Sequence, residues 1–454
     1  VMTPDGMYKE VQIEGEAEGF TELVRLSRYR FFDASINIPT GQDTHFFRFF
    51  YNIGQTKARV VELTASEMSD SKQFNAAMAF ANITMQPEEY KGVQRLMSTW
   101  KQQMEAAKFV THAPNRMGWT RQDGKIGFAL TKKIIWDDGK ETDNPLPNAE
   151  LLVNYSPTGE LKPWKKAAKL ITGHPNVEIQ AALASSFAAP LMSMTSTHGA
   201  VLAIVSQASG LGKTKALHTA QAVWGKPTQV NSMDDTSNSL IHKMGILNNL
   251  PAYWDELHMQ NANGDGMDAF TNMIFRLAQG KEKSRLTNQI KFQVAGEWTT
   301  LITVVSNDSV HDHLRIARKG TSAALMRVLE LEVNDAKESA DDLNKALTVF
   351  GELNENYGVA GELYAKYIVE NNAQLKKEVI ATIAKISSMP KMPQEERMRI
   401  ALIAAMLVGA KAANSAGLTN FDIKALASRM ISEIKPKLNK SGEVIKSVAT
   451  AQDM

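Results

Sequence analysis

The spacing of apolar residues changes character along this chain. Up to about residue 145 it is mixed. Phe46 to Ile53 and Ala58 to Leu63 are short β-rich runs that predict strands. Ser71 to Asn82 and Pro87 to Lys108 carry helical spacing, and the second opens with Pro-Glu-Glu, a helix-start signal. From Gly118 to Trp136, short apolar runs alternate with Asp-Gly and Gly-Lys turns, which predicts hairpins. Asp137 to Leu161 is rich in Pro, Asn, Asp and Gly and is expected to link two domains.

The pattern then becomes regular. Trp164 to Thr172 and Val177 to Ser193 read as helices around the turn Gly173-His174-Pro175. Val201 to Val205 is a β-rich run, Ala208 to Thr214 a glycine loop, and Lys215 to Trp224 a helix. Leu250 to Trp254 is a second strand and Thr299 to Val305 a third, strongly β-branched. Strand, loop and helix recurring in this order predict a parallel α/β sheet. After Val333 the chain turns helical, through Ala336 to Leu353, Ala360 to Glu370, Gln374 to Ser387, Glu395 to Ser415 and Asn420 to Ile434. The Ala-rich stretch Arg399 to Ala413 is expected to be a buried helix. The division that follows is a mixed α+β accessory domain over 1–145, an α/β core over 146–335 and a helical domain over 336–454.

Composition narrows the chemistry. With 43% hydrophobic and 22% charged residues, 454 residues can bury a sizeable core. A formal net charge of only +2 means that any nucleic-acid surface must be a local patch. No cysteine is present, so disulfides, thiolate zinc sites and cysteine nucleophiles are excluded. That fits a reducing compartment, and a cytoplasmic setting is expected (a host's cytoplasm if the source is viral). No run of 18 or more apolar residues marks a membrane span. The opening Val1-Met2-Thr3 reads as a piece of a longer chain.

The chemistry concentrates in the middle third. Gln207-Ala208-Ser209-Gly210-Leu211-Gly212-Lys213-Thr214 follows an apolar strand and opens a helix, the context a phosphate-binding loop requires. Glycines 210 and 212 let the backbone turn and aim N–H groups at phosphate oxygens. The helix N-terminus adds partial positive charge. Lys213 is expected to reach the β and γ phosphates, and Thr214 to offer a hydroxyl to Mg2+. One departure from the usual loop is Gln207, where a first glycine is expected.

About forty residues on, Leu250 to Trp254 ends in Asp255-Glu256. Alone, such a pair is a solvated turn. Beside the glycine loop, Asp255 becomes the candidate for the metal and Glu256 for the attacking water. The β-branched strand Leu301 to Val305 ends in Ser306-Asn307-Asp308, where Asn307 could orient that water. Between the last two sits a basic loop, Lys281, Lys283 and Arg285 continuing to Lys291, which reads either as a phosphate grip or as a solvated turn. Arg315, Arg318 and Arg327 follow the Asn strand. The histidines show no metal-ligand spacing.

These residues resemble the ATPase domain of phage and plasmid primase-helicases, related to the superfamily-three, AAA+-like hexameric helicases. The resemblance runs through Gly173-His174-Pro175, Phe187 to Leu191, the Gly-Lys-Thr loop, Ala222 to Gly225, Thr236 to Asn238, Asp255-Glu256-Leu257, Ala278 to Lys281 and Gly296-Glu297-Trp298, with weaker matches at Gly118-Trp119 and Arg399 to Ala401. It implies a P-loop core that hydrolyses ATP with Mg2+ and a ring, usually hexameric, moving on single-stranded DNA. The Lys281–Lys291 loop would project into the ring's channel, and Arg327 would reach a neighbour's γ phosphate. A primase or polymerase module is an implied partner, and no catalytic primase signature occurs in this chain. An initiator or loader without processive unwinding, and an assembly ATPase indifferent to DNA, are the alternatives.

Overall fold

The computed structural model describes residues 1–12, 21–39, 45–54, 56, 58–107, 110–113, 116–144, 153–208, 210–231, 237–255, 279–281, 285–286, 292–293, 297–316, 325–333 and 348–435. The chain forms two compact units, Val1–Asn115 with Pro145–Pro147, and Arg116–Asn144 with Asn148–Met454. The strands that follow Gly118 therefore group with the second unit, where their pattern alone had grouped them with the first.

In the first unit, β1 (Met2–Thr3), β2 (Gly6–Gln12) and β3 (Thr21–Ser27) form one antiparallel sheet. A second sheet has the order β6-β5-β4-β7, from β4 (Tyr29–Pro39), β5 (Phe46–Ile53), β6 (Arg59–Thr64) and β7 (Val110–Ala113), with β7 parallel to β4. Along β5 the alternation is plain: Phe47, Phe49 and Tyr51 are buried while Phe46, Arg48 and Phe50 are half-buried. The buried set packs on α2 (Ser71–Phe80) and α3 (Pro87–Ala106) through Phe74, Met78, Val93 and Met97. The short α1 (Ala65–Ser69) starts at a capping box: Thr64 Oγ1 accepts from the Glu67 N–H at 3.2 Å, and Glu67 accepts from the Thr64 N–H at 2.7 Å. Strand β4 escaped the sequence pattern because its register shifts between Phe31 and Asp33, which breaks the period of two.

The second unit opens with an antiparallel sheet of β8 (Gly118–Gln122), β9 (Lys125–Ala129), β10 (Lys133–Trp136) and β11 (Glu141–Asp143). Trp119 anchors it, donating its backbone N–H to Asn249 and its indole N–H to the Pro190 carbonyl. Then come α4 (Leu161–Thr172), α5 (Val177–Ala188), β12 (Gly199–Val205), α6 (Lys213–Gln221), α7 (Ser237–Leu247) and β13 (Ala252–Asp255). The pair β14 (Arg285–Leu286) and β15 (Phe292–Gln293) precedes β16 (Thr300–Ser306), α8 (Val310–Ile316) and β17 (Val328–Glu332). The sheet β13-β16-β12-β17 is parallel throughout.

Every residue of β12 and β16 is buried, which is why these strands read as unbroken apolar runs rather than alternations. Leu240, Ile241 and Met244 of α7, with Val310 and Leu314 of α8, join Val201, Ala203, Ile302 and Val304 in one core. Helix α5, with all but its first residue buried, also packs on the sheet and meets α11 (Arg397–Ser415). α11 is long and apolar enough to cross a membrane by composition, and here those apolar residues are spent in the core. A Cβ on Gly409 would stand 2.6 Å from the Phe187 carbonyl oxygen, so the α5–α11 contact requires glycine there. Helices α9 (Val359–Glu370), α10 (Asn372–Ser387) and α12 (Ile423–Ile434) complete a helical C-terminal region. The fold is thus mixed α/β with a parallel sheet and a helical end.

Candidate functional site

Strand order decides where chemistry can gather. In a parallel sheet, side chains from the loops after neighbouring strands meet at the carboxyl ends. β12, β16 and β13 stand side by side, so Ser206, Asn307 and Asp255 emerge together.

The loop after β12 turns through two glycines, Gly210 and Gly212, both at φ +82°. An L side chain rarely adopts that conformation. Nothing within 4 Å would meet a Cβ on Gly210, so the backbone angle rather than crowding calls for glycine. Gly212 is the N-cap of α6, so the helix begins at Lys213, two residues earlier than the sequence pattern suggested. Leu211, between the two glycines, is buried.

Lys213 reaches back across the strand ends. Its Nζ donates to the Ser206 carbonyl at 2.6 Å, the Ser306 carbonyl at 3.1 Å and Asn307 Oδ1 at 2.9 Å. The residue retains only 9% exposure, and a buried ammonium is tolerated because it is hydrogen-bonded. Thr214, one residue on, donates its hydroxyl to Asp255 Oδ1 at 3.2 Å. A hydroxyl and a carboxylate oxygen therefore sit side by side at the mouth of the loop, both hard oxygen donors. Among the described residues, no group of three or more histidines, cysteines or acids is placed to hold a metal.

The structure thus brings together Gly210, Gly212, Lys213, Thr214, Asp255 and Asn307. Arg327 is elsewhere. Its carbonyl accepts from the Val201 N–H at 2.9 Å, which places it at the amino end of the sheet. From Val201 to Ser206 is about 16 Å of strand, further than any side chain spans. Burial first, and then the charge of Arg397, pull the Arg327 guanidinium below its usual value. Arg315 is paired with Asp312 at 3.0 Å on α8. Ser209, Glu256, Lys283, Lys291 and Arg318 lie outside the described residues. Arg285 lies in β14, where its backbone pairs with Gln293 of β15, and Lys281 faces Glu297 at 3.6 Å with both side chains exposed.

Two contributions were not legible as site residues. The carbonyls of Ser206 and Ser306 carry no side-chain signal at all. His174 accepts the Asn176 N–H on Nδ1 at 3.0 Å, and its Nε2 lies 3.8 Å from where a Cβ on Gly212 would stand. Only Gly173-His174-Pro175, quoted above for its resemblance, hinted at this position.

A family model described as a domain of unknown function (DUF927) matches residues 17–294, more than half of the chain, and the chain belongs to that family. A search of curated proteins finds no match. Among solved structures, one described as "SCCmec type IV Cch - active helicase" aligns over 95% of this chain and 77% of its own, with 17% identity and a TM-score of 0.69. At that identity the likeness is one of fold. Another, described as "The A form apo structure of NrS-1 C terminal region-CTR", covers 90% of this chain and 94% of its own at 10% identity, with a TM-score of 0.31.

Proposed function

We propose that this member of the DUF927 family is an ATP-hydrolysing helicase motor with a P-loop, AAA+-like core. The observation that carries the reading is the meeting of Lys213, Thr214, Asp255 and Asn307 at the carboxyl ends of three parallel strands, beneath a loop with two left-handed glycines. The fold likeness to a protein described as an active helicase supports it.

In this reading the loop N–H groups and the start of α6 cradle the phosphates of ATP. Lys213 neutralises charge that builds on the β and γ phosphates. Thr214 and Asp255 are the residues to hold Mg2+. They would suit it as adjacent hard oxygen donors. Mg2+, when bound, shields the phosphate oxygens and orients the terminal phosphate. Asn307 and Glu256 position the attacking water. Arg327, too far from Lys213 of its own chain, serves a neighbouring copy's site. That requires a homo-oligomer, for which we propose a hexameric ring. The basic segment from Lys281 through Lys283 and Arg285 to Lys291 grips single-stranded DNA. A primase or polymerase module is a further proposed partner.

The test is ATP hydrolysis with and without single-stranded DNA, for the parent and for Lys213→Ala. Stimulation by DNA that disappears in the variant supports a DNA-coupled motor, and duplex unwinding then separates helicase from loader. Hydrolysis indifferent to DNA favours an assembly ATPase. Near-normal hydrolysis by Lys213→Ala removes the site assignment itself.

A further inference from the structure

Helix α4, which precedes α5 and β12 in the chain, buries Trp164, Ala167, Ala168, Ile171 and Thr172. Its other side carries Lys162, Lys165, Lys166 and Lys169, all exposed. At about 100° per residue these lysines fall within an arc of roughly 100°, opposite the buried stripe. The helix contains no acidic residue; Glu160 precedes it, and Glu352 pairs with Lys166 at 3.4 Å. Among the described residues, Lys162, Lys165 and Lys169 make no ion pair. The helix also runs toward the nucleotide loop: two residues beyond its end stands His174, the neighbour of Gly212.

The geometry points to the lysine face of α4 as a second nucleic-acid contact, one that grips the phosphodiester backbone without reading sequence. This rests on the DNA part of the reading above and adds a surface to it. The chemistry favours this partner. Lysine is disfavoured in protein–protein interfaces, whereas each ammonium set against a phosphate releases a condensed counterion. A membrane surface would need the apolar side of the helix, which is spent in the core. The stripe offers no arginine, asparagine, glutamine or aromatic side chain with which to discriminate bases. From Lys162 to Lys169 the helix rises about 10 Å, the span of roughly three phosphates along one strand of a duplex.

The experiment measures affinity of the full chain for a labelled mixed-sequence oligonucleotide by fluorescence anisotropy, from about 50 to 200 mM salt. The parent is compared with a triple variant, Lys162→Gln with Lys165→Gln and Lys169→Gln, and with the triple Lys-to-Arg variant, each checked for the parent's thermal midpoint. The Gln variant should lose about 2 to 3 units of slope in log affinity against log salt. The Arg variant should keep the parent's slope, and scrambling the oligonucleotide should change neither. A Gln variant with the parent's slope overturns the lysine face and leaves the DNA reading standing. A parent with no affinity at low salt overturns both. If the Gln variant keeps the slope but loses self-association in sedimentation, the face docks an acidic surface of a second copy and the inference is wrong.

Discussion

At the carboxyl ends of β12, β13 and β16, a lysine, a hydroxyl, a carboxylate and an amide converge within hydrogen-bond distance. At the amino end of the same sheet, Arg327 sits half-buried, close enough to Arg397 to feel its charge. The first constellation is dense because neighbouring parallel strands deliver their following loops to one edge. The second cannot take part in it, because the length of a strand intervenes. In the proposed reading, one end of the sheet therefore holds the nucleotide and the other serves a neighbouring copy.

The sharpest way to break that contrast is to separate the two ends genetically. Arg327→Ala should lower turnover by about 10³-fold or more, and Lys213→Ala should abolish it. Mixing the two inactive variants should restore part of the activity, because one interface then pairs an intact Lys213 with an intact Arg327. A mixture as inactive as its parts would place Arg327 outside the reaction or inside its own subunit's site.

A smaller effect is expected within the dense end. Asn307→Ala removes one of the oxygens around Lys213 and, in the proposed reading, the amide that positions the attacking water, and should cost about 10²-fold in turnover, read by steady-state kinetics. If it costs nothing, the amide only caps its strand. Gly212→Ala should follow, since a side chain at φ +82° strains the loop by about 1–2 kcal/mol. That corresponds to roughly tenfold weaker nucleotide binding, measurable by titration calorimetry. Unchanged affinity would mean that the loop relaxes into another turn.

Gly409→Ala should affect neither end. It forces α11 away from the Phe187 carbonyl and should cost about 1–3 kcal/mol of stability, seen as a lower thermal midpoint with nucleotide affinity near the parent's. A parallel loss of affinity would show that the helical region steers the nucleotide loop.

The β-rich run Phe46 to Ile53 and the apolar runs of β12 and β16 were legible because each is a short local stretch of strand-forming residues. The buried helix over Arg399 to Ala413 was legible from its Ala-rich, apolar composition. Strand β4 was not, because a bulge shifts its phase. Within the site, the glycine loop announced itself through residue types whose backbone demands are local. Its partners are marked in the sequence only by their places at strand ends.

What the chain determined by itself was therefore the set of elements and the residue types at their tips, since periodicity, turn chemistry and backbone conformation act over a few residues. What only the tertiary structure decided was adjacency. The strand order β13-β16-β12-β17 sets Asp255 beside Thr214 and Asn307 beside Lys213, and sends Arg327 to the opposite edge. Carbonyls such as those of Ser206 and Ser306 become ligands for the lysine only there, because a backbone oxygen is the same in every residue and gains a role solely from where the fold puts it.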